Sequence, residues 1–360
     1  MKHYDLQLLG AVGFLMLAGL TNLFSADSVL FHKQLIWVAV AAAAIFILPA
    51  LNLKAFFSYR WVILGIYLSA LFLLVAAYFF APVVANTKSW LIFGLSGQGG
   101  FQIQPSEFVK VALIILFSSF FAVKHVSIKR TGIVIASFVY FILPAALVLI
   151  QPDLGTTLIL FAIWFGYLLV SEIPIRSLIF MFLLFCVVAA AGWSFGLADY
   201  QKDRIIALFN PDYDPLGVNY SVIQSKIAIG SAGLFGKGFR QGTQTQLGFL
   251  PEKGNDFAFA AFTEEWGLLG GAALLAVFTF LVYRILVIGL SSDNNFSKLA
   301  ALGTAIMLLA HFTINVGSNL GLFPVVGVSF PFLSYGGSNL LTTAILIGII
   351  QNTAKRRSGF

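Results

Sequence analysis

Gly132–Ile150 reads GIVIASFVYFILPAALVLI; after Gln151-Pro152-Asp153-Leu154 the chain resumes as Gly155–Val170, GTTLILFAIWFGYLLV. About 20 consecutive apolar residues are enough to cross the hydrocarbon core of a bilayer as a helix. The four-residue connection contains proline, which supports a tight turn, so the two runs form a hairpin of neighbouring spans. In lipid a backbone must satisfy its own polar groups, so such runs are helices.

Working outward, the same kind of run recurs on both sides of this hairpin. We place ten spans, at Leu6–Phe24, Gln34–Ala50, Trp61–Phe80, Ser106–Val123, Gly132–Ile150, Gly155–Val170, Leu178–Phe195, Phe257–Ile288, Leu299–Val316 and Ser334–Ile350. The first run follows Lys2 and has the outline of a signal peptide, but with so many later spans it is expected to be a retained helix. The expected fold is an all-α polytopic membrane protein with residues 1–360 in one integral-membrane domain. Residues 197–256 interrupt the alternation as one large polar loop between spans seven and eight.

Composition agrees. Hydrophobic residues make up 59% and charged residues only 10%, and the mean hydropathy of +0.95 excludes an ordinary soluble domain. A net charge of +7 resembles a nucleic-acid signal only until the charges are placed. Lys2, Lys54, Arg60, Lys124, Lys129, Arg130, Arg176, Arg284, Lys298 and Lys355-Arg356-Arg357 all fall on the face that carries the termini. The short segments of the other face hold only Lys33 and Lys88. The terminal face is therefore expected in the cytoplasm and the long loop outside. The single cysteine, Cys186, excludes an intrachain disulfide and a cysteine zinc cluster. There is no Walker loop, no HExxH and no internal repeat.

Charges are so sparse that each one near a span is a candidate for chemistry. Asp256, in Pro251-Glu252-Lys253-Gly254-Asn255-Asp256-Phe257, opens the long eighth span. It is either catalytic or an N-cap, and a helix N-terminus would lower its pKa. Glu107 and Lys110 share a face at i, i+3 and form either a structural ion pair or part of a site. Asp153 is either a cap of the sixth span or a supporting acid. Glu264 and Glu265 lie inside the eighth span and need partners or water. His311, near Asn315 and Asn319 in the ninth span, is read as a core hydrogen-bonding residue. Glu107, Lys110, Asp153 and Asp256 all map to the outer face. No ATP is available there, so an enzyme needs a pre-activated, membrane-borne substrate. A lipid-linked pyrophosphate meets that need. Lys110, Arg204, Lys237 and Arg240 are candidate contacts for its diphosphate or glycan. Trp90, in the outer loop that also carries Gly97, Gly99 and Gly100, is a further candidate substrate contact.

The blocks Gln104-Pro105-Ser106-Glu107, Gln151-Pro152-Asp153-Leu154-Gly155-Thr156, Asn219-Tyr220 with Gln224-Ser225, PEKGNDF at 251–257 followed by Glu264-Glu265-Trp266-Gly267, and PFLSYGGS at 331–338 resemble the SEDS family, in that family's order. The short N-terminus and compact length are more similar to its elongation branch (RodA-type) than to its division branch (FtsW-type). The resemblance implies a peptidoglycan glycosyltransferase of the cytoplasmic (inner) membrane that polymerises lipid II on the outer face during cell elongation. It implies a divalent metal, Mg2+ or Mn2+, with Asp256 as a candidate ligand. It also implies a class B penicillin-binding protein as transpeptidase partner, elongation-complex proteins, membrane lipid and no nucleic acid. The family's essential aspartate maps onto Asp256, its fourth-span Glu and Lys onto Glu107 and Lys110, and its QPDLGT aspartate onto Asp153. This chain departs from the pattern at Asn255, where Thr is usual, at Ser89 before Trp90, and at Ser231-Ala232-Gly233. The rival functions are a lipid II flippase and a non-catalytic scaffold for the transpeptidase.

Overall fold

The computed structural model describes residues 4–82, 87–93, 101–124, 131–171, 175–195, 198–210 and 212–357. The glycine cluster at 97, 99 and 100 lies outside the described residues, as do Lys2, Lys129 and Arg130. A helix stands at each of the ten expected places. These are α1 (Leu6–Ala26), α2 (Ser28–Ile47), α4 (Arg60–Phe80), α5 (Pro105–Lys124), α6 (Thr131–Ile150), α7 (Leu154–Val170), α8 (Ile175–Phe195), α12 (Ala258–Leu290), α13 (Asn295–Asn319) and α14 (Gly337–Arg357). A short α3 (Leu53–Phe56) joins α2 to α4.

Seven of these helices are individually long and apolar enough to cross a membrane: α1, α2, α4, α5, α6, α12 and α13. The other three differ for physical reasons. Helix α7 is apolar but has only 17 residues. The Met181–Ser194 part of α8 meets the test only together with α9 (Asp199–Phe209), across a 115° bend. Helix α14 carries Ser338, Asn339, Thr342, Thr343, Gln351 and Asn352, all buried inside the protein. Its polar residues face neighbours rather than lipid, so it needs no high hydropathy. Helix α2 begins six residues before the expected Gln34, because the Asp27 side chain accepts from Val29 N and Leu30 N and caps it.

The polar segment 197–256 is more ordered than a loop. It contains α9, α10 (Tyr220–Gly230) and α11 (Thr243–Gln246). Before α5, β1 (Leu91–Phe93) pairs antiparallel with β2 (Phe101–Ile103), Leu91 opposite Ile103 and Phe93 opposite Phe101. The core lies where α5, α13 and α12 meet, with α1 and α14 alongside. Phe117, Phe278, Phe330, Leu281 and Leu308 fill it.

Helix α12 is broken at Gly267, which has φ 75 and ψ 178. Segment 233–238 docks into the break. Lys237 N and Gly238 N donate to the carbonyls of Glu264 and Glu265, while Leu268 N and Leu269 N donate to Gly233 O and Leu234 O. The backbones at Gly236 and Gly267 come so close that a Cβ on either would collide with the other strand. Only glycine fits both the left-handed φ and the approach.

Candidate functional site

Asp256 sits one residue ahead of the Phe257 N-cap of α12, and that helix has no side-chain cap. The capping alternative therefore does not hold for Asp256: no described residue donates to its carboxylate. What is held is its backbone. The Asp256 carbonyl accepts from Asn315 Nδ2 at 2.9 Å and Asn319 Nδ2 at 2.8 Å. The flanking residues are fixed as well. Ser334 Oγ donates to Asn255 O at 2.6 Å, and Tyr335 N donates to Gly254 O at 2.7 Å. The PFLSYGG segment thus clamps the GNDF segment, which places a half-buried, unpartnered carboxylate on a fixed backbone.

The electrostatics run against the sequence expectation. Burial pushes the Asp256 carboxyl up to about 6, and the Glu252 charge adds to this, while Arg204 pulls the other way. The helix N-terminus was expected to lower it. The correction is physical: no N–H of α12 bonds the carboxylate, so desolvation wins. A carboxyl poised near 6 is ionised at neutral pH and still a competent proton acceptor.

Asp153 does cap. Its Oδ1 accepts from Thr156 N at 2.9 Å and its Oδ2 from Thr156 Oγ1 at 2.8 Å. Gln104 Nε2 also donates to Oδ2, at 3.1 Å, linking Asp153 to the start of α5. Burial raises its carboxyl from the ordinary value despite the Thr156 hydrogen bonds and the Lys110 charge.

Glu107 and Lys110 pair as the i, i+3 spacing predicts, Nζ to Oε1 at 2.7 Å, both buried. Glu107 Oε2 accepts from Asn339 Nδ2 at 3.2 Å. Lys110 is only 1% exposed, and its Nζ also meets His311 Nε2 at 2.8 Å.

The remaining cations divide. Arg204, on α9, donates to Val325 O at 2.7 Å and lies close enough to Asp256 to act on its charge. It lines a cleft with Asn219, Lys226, Gly321 and Val325. Lys237 instead pairs with Glu264 at 2.8 Å. Arg240 donates to Phe24 O at 2.9 Å and packs 4.5 Å from the Phe24 ring. Both tie the segment after α10 to α12 and α1 rather than joining Asp256. Trp90 is half-buried beside β1, and among the described residues no hydrogen bond or ring contact joins it to the other candidates.

Glu264 is fully partnered, whereas Glu265 is partnered at Oε1 and its buried Oε2 has no hydrogen bond. Glu264 accepts from Lys237, Gln244 N, Thr245 N and Thr245 Oγ1. Glu265 accepts from Ser25 and Gln246. Both are clamps of the outer segment.

Asn315, Asn319, Asn339, Gln104 and Lys226 were not singled out as site residues from the sequence. His311, Asn315 and Asn319 recur at i, i+4 and i+8 in an apolar helix, which marks one polar face. That signal was available. Their partners at 256, 328 and 329 were not readable, because they are backbone carbonyls distant in sequence.

No group of three or more His, Cys, Asp or Glu side chains capable of holding a metal occurs among the described residues. The donors that do exist are hard oxygens: the open Asp256 carboxylate and, on the preceding residue, Asn255 Oδ1, which is buried and has no hydrogen-bond partner. A set this small fits Mg2+ or Mn2+ held jointly by protein and a phosphate-bearing substrate, and does not fit a closed protein cage.

Comparison with known proteins agrees with this architecture. The sequence matches the FtsW/RodA/SpoVE cell cycle protein family over residues 3–359. It is 37% identical over 294 residues to the peptidoglycan glycosyltransferase MrdB of Escherichia coli K12, covering 81% of this chain and 77% of that one. It is 33% identical over 357 residues to MrdB of Helicobacter pylori J99, covering 97% and 90%. Among solved structures, a chain of a peptidoglycan synthase complex that couples polymerization and crosslinking superposes with a TM-score of 0.82 at 28% identity, over 99% of both chains. RodA of Thermus thermophilus superposes at 0.71 and 24% identity, over 98% of this chain and 97% of that one, and shares the fold. A ten-helix layout, the ordered sequence blocks and a family match along nearly the whole length converge: this chain belongs to the FtsW/RodA/SpoVE family.

Proposed function

We propose that this protein polymerises lipid II into glycan strands, with Asp256 as the base at the reacting hydroxyl. The chain is a peptidoglycan glycosyltransferase of the elongation type, an integral membrane protein whose relatives carry that activity in their names. The observation that carries the assignment of Asp256 is its free, half-buried carboxylate with a carboxyl near 6, on a backbone held by Asn315 and Asn319.

The transfer is inverting. The 4-hydroxyl of the acceptor GlcNAc attacks the anomeric carbon of the donor, on the face opposite the diphosphate. The new C–O bond forms as the bond from that carbon to the diphosphate oxygen breaks. The hydroxyl proton passes to Asp256, and undecaprenyl pyrophosphate departs with the bonding electron pair. A divalent cation, when bound, would supply positive charge to the leaving diphosphate; Asn255 Oδ1 is the oxygen that would hold it while Asp256 serves as base, and Asp256 would be its ligand in the alternative role. Arg204 and Lys226 flank the adjacent cleft and are suited to anionic groups of the substrate. An apolar groove of about 610 Å³ begins at Phe108, next to Glu107, and descends through Val111 and Ile115 to Leu53 and Phe56. It suits the prenyl chain.

The protein sits in the cytoplasmic membrane with this site facing outward, as the basic residues of the terminal face support. A class B penicillin-binding protein crosslinks the strands it makes. The test is polymerisation of lipid II by the purified protein in liposomes, with its partner present and transpeptidation blocked. Polymer is expected. No polymer from a folded preparation that binds its partner would remove the enzyme reading and favour a flippase or scaffold.

A further inference from the structure

Resting on the polymerase reading above, we infer that His311 is a positioning residue for that reaction, acting through Lys110. Its ring nitrogens are assigned by their partners. Nδ1 lies 3.1 Å from the Ser329 carbonyl, which can only accept, so Nδ1 carries the proton. Nε2 then presents a lone pair to Lys110 Nζ at 2.8 Å. A doubly protonated ring would turn an N–H toward an ammonium, so the imidazole is neutral and Lys110 is the donor.

Lysine has a flexible four-carbon stem and three donors, and nothing in its own chemistry fixes the ammonium. Here two donors are committed to two partners, Glu107 Oε1 on its own helix and His311 Nε2 on α13. Glu107 is fixed in turn by Asn339 on α14. The ammonium therefore has one position, set by three helices.

His311, Asn315 and Asn319 stand one turn apart on the same face, and the two asparagines hold the Asp256 carbonyl. One rigid helix thereby sets the position of Lys110 relative to Asp256. A misplacement of about 1 Å at such a site is enough to cost about 100-fold in rate.

A core histidine that merely fills space predicts lost stability and an unchanged rate in whatever protein folds. The positioning role predicts the reverse. The experiment measures lipid II polymerisation by the full chain with its partner in liposomes, together with the melting temperature. It compares wild type, His311→Gln, His311→Asn, His311→Phe, Lys110→Met and the His311→Phe/Lys110→Met double variant. Glutamine reaches as far as Nε2 and restores the acceptor, while asparagine reaches only as far as Nδ1 and does not. His311→Phe and His311→Asn are expected to lose at least about tenfold in kcat, with KM changed by no more than about twofold. His311→Gln is expected to recover most of the rate. The double variant is expected to be no slower than Lys110→Met alone. The inference is overturned if folded His311→Asn matches His311→Gln, if His311→Gln is as slow as His311→Asn, or if the two losses multiply. It is overturned as well if Lys110→Met polymerises normally. Absence of polymer from wild type removes the polymerase reading itself, whereas failure of the His311 series alone leaves that reading standing.

Discussion

At the scale of the residue, Asp256 joins a fixed backbone to an unbonded carboxylate. The acid is held up near 6, above its ordinary 3.8. A carboxyl whose folded pKa is raised stabilises the fold in its protonated form. That contribution is complete below the unfolded value and is lost as pH rises through about 6. At neutral pH the ionised group therefore strains the fold. Asp256→Asn should stabilise the protein by about 1–3 kcal/mol at pH 7.5, since one pKa unit is about 1.4 kcal/mol and partial exposure reduces the effect. The gain should shrink toward pH 4. Thermal melts of the two proteins across that pH range check it, and equal melting temperatures at pH 7.5 would contradict it. The sequence placed this acid correctly, at the entrance to a long apolar helix. Its pKa was unreadable, because the desolvating neighbours and Glu252 are set by the fold. Asp153 gives the opposite lesson. Its position before Gly155-Thr156 announced a cap, and Thr156 is the residue it caps.

At the scale of the element, the long loop is the main revision. It reads in the sequence as one large polar loop, yet segment 233–238 is backbone-paired into the break of α12. The break itself was not legible. Trp266-Gly267-Leu268 reads as ordinary helix interior, and the left-handed φ together with the approach of Gly236 explains the glycine. Glu264 was expected to need partners, and its partners are the loop. Glu264→Ala should cost about 3–5 kcal/mol, because it strands several buried donors. Lys237→Ala should cost less, about 1–3 kcal/mol, since Glu264 keeps its remaining donors and Lys237 is only partly buried. Chemical or thermal unfolding in detergent, with limited proteolysis across 230–246, measures both. A Lys237 variant less stable than the Glu264 variant would show that the clamp is organised differently.

At the scale of the whole molecule, the helix positions were legible because long apolar runs are unambiguous. The weaker ones were legible by count: α14 owes its place to nine other spans, not to its own hydropathy. The polar interior that weakens its apolar signal is what binds Glu107, through Asn339, while Ser334, just ahead of the helix, binds the Asn255 carbonyl. The orientation proposed from the basic residues is testable directly. In a Cys186→Ser background, Glu252→Cys should react with an impermeant maleimide added outside intact cells. Asp293→Cys, between α12 and α13, should react only after permeabilisation. The reverse pattern would invert the protein and put Asp256 on the wrong side for strand export.

The most direct test of the account is the pH dependence of lipid II polymerisation by the protein with its partner, run beside Asp256→Asn. If Asp256 must be ionised to take the acceptor proton, kcat/KM should rise with pH through a midpoint near 6 and level off above 7. Asp256→Asn should lose about 10²–10⁴-fold on the plateau above pH 7 and lack that limb, so that its deficit narrows below pH 6. A flat wild-type profile from pH 5 to 8, or an Asp256→Asn protein that polymerises at the wild-type rate, would contradict the central role given to this carboxylate.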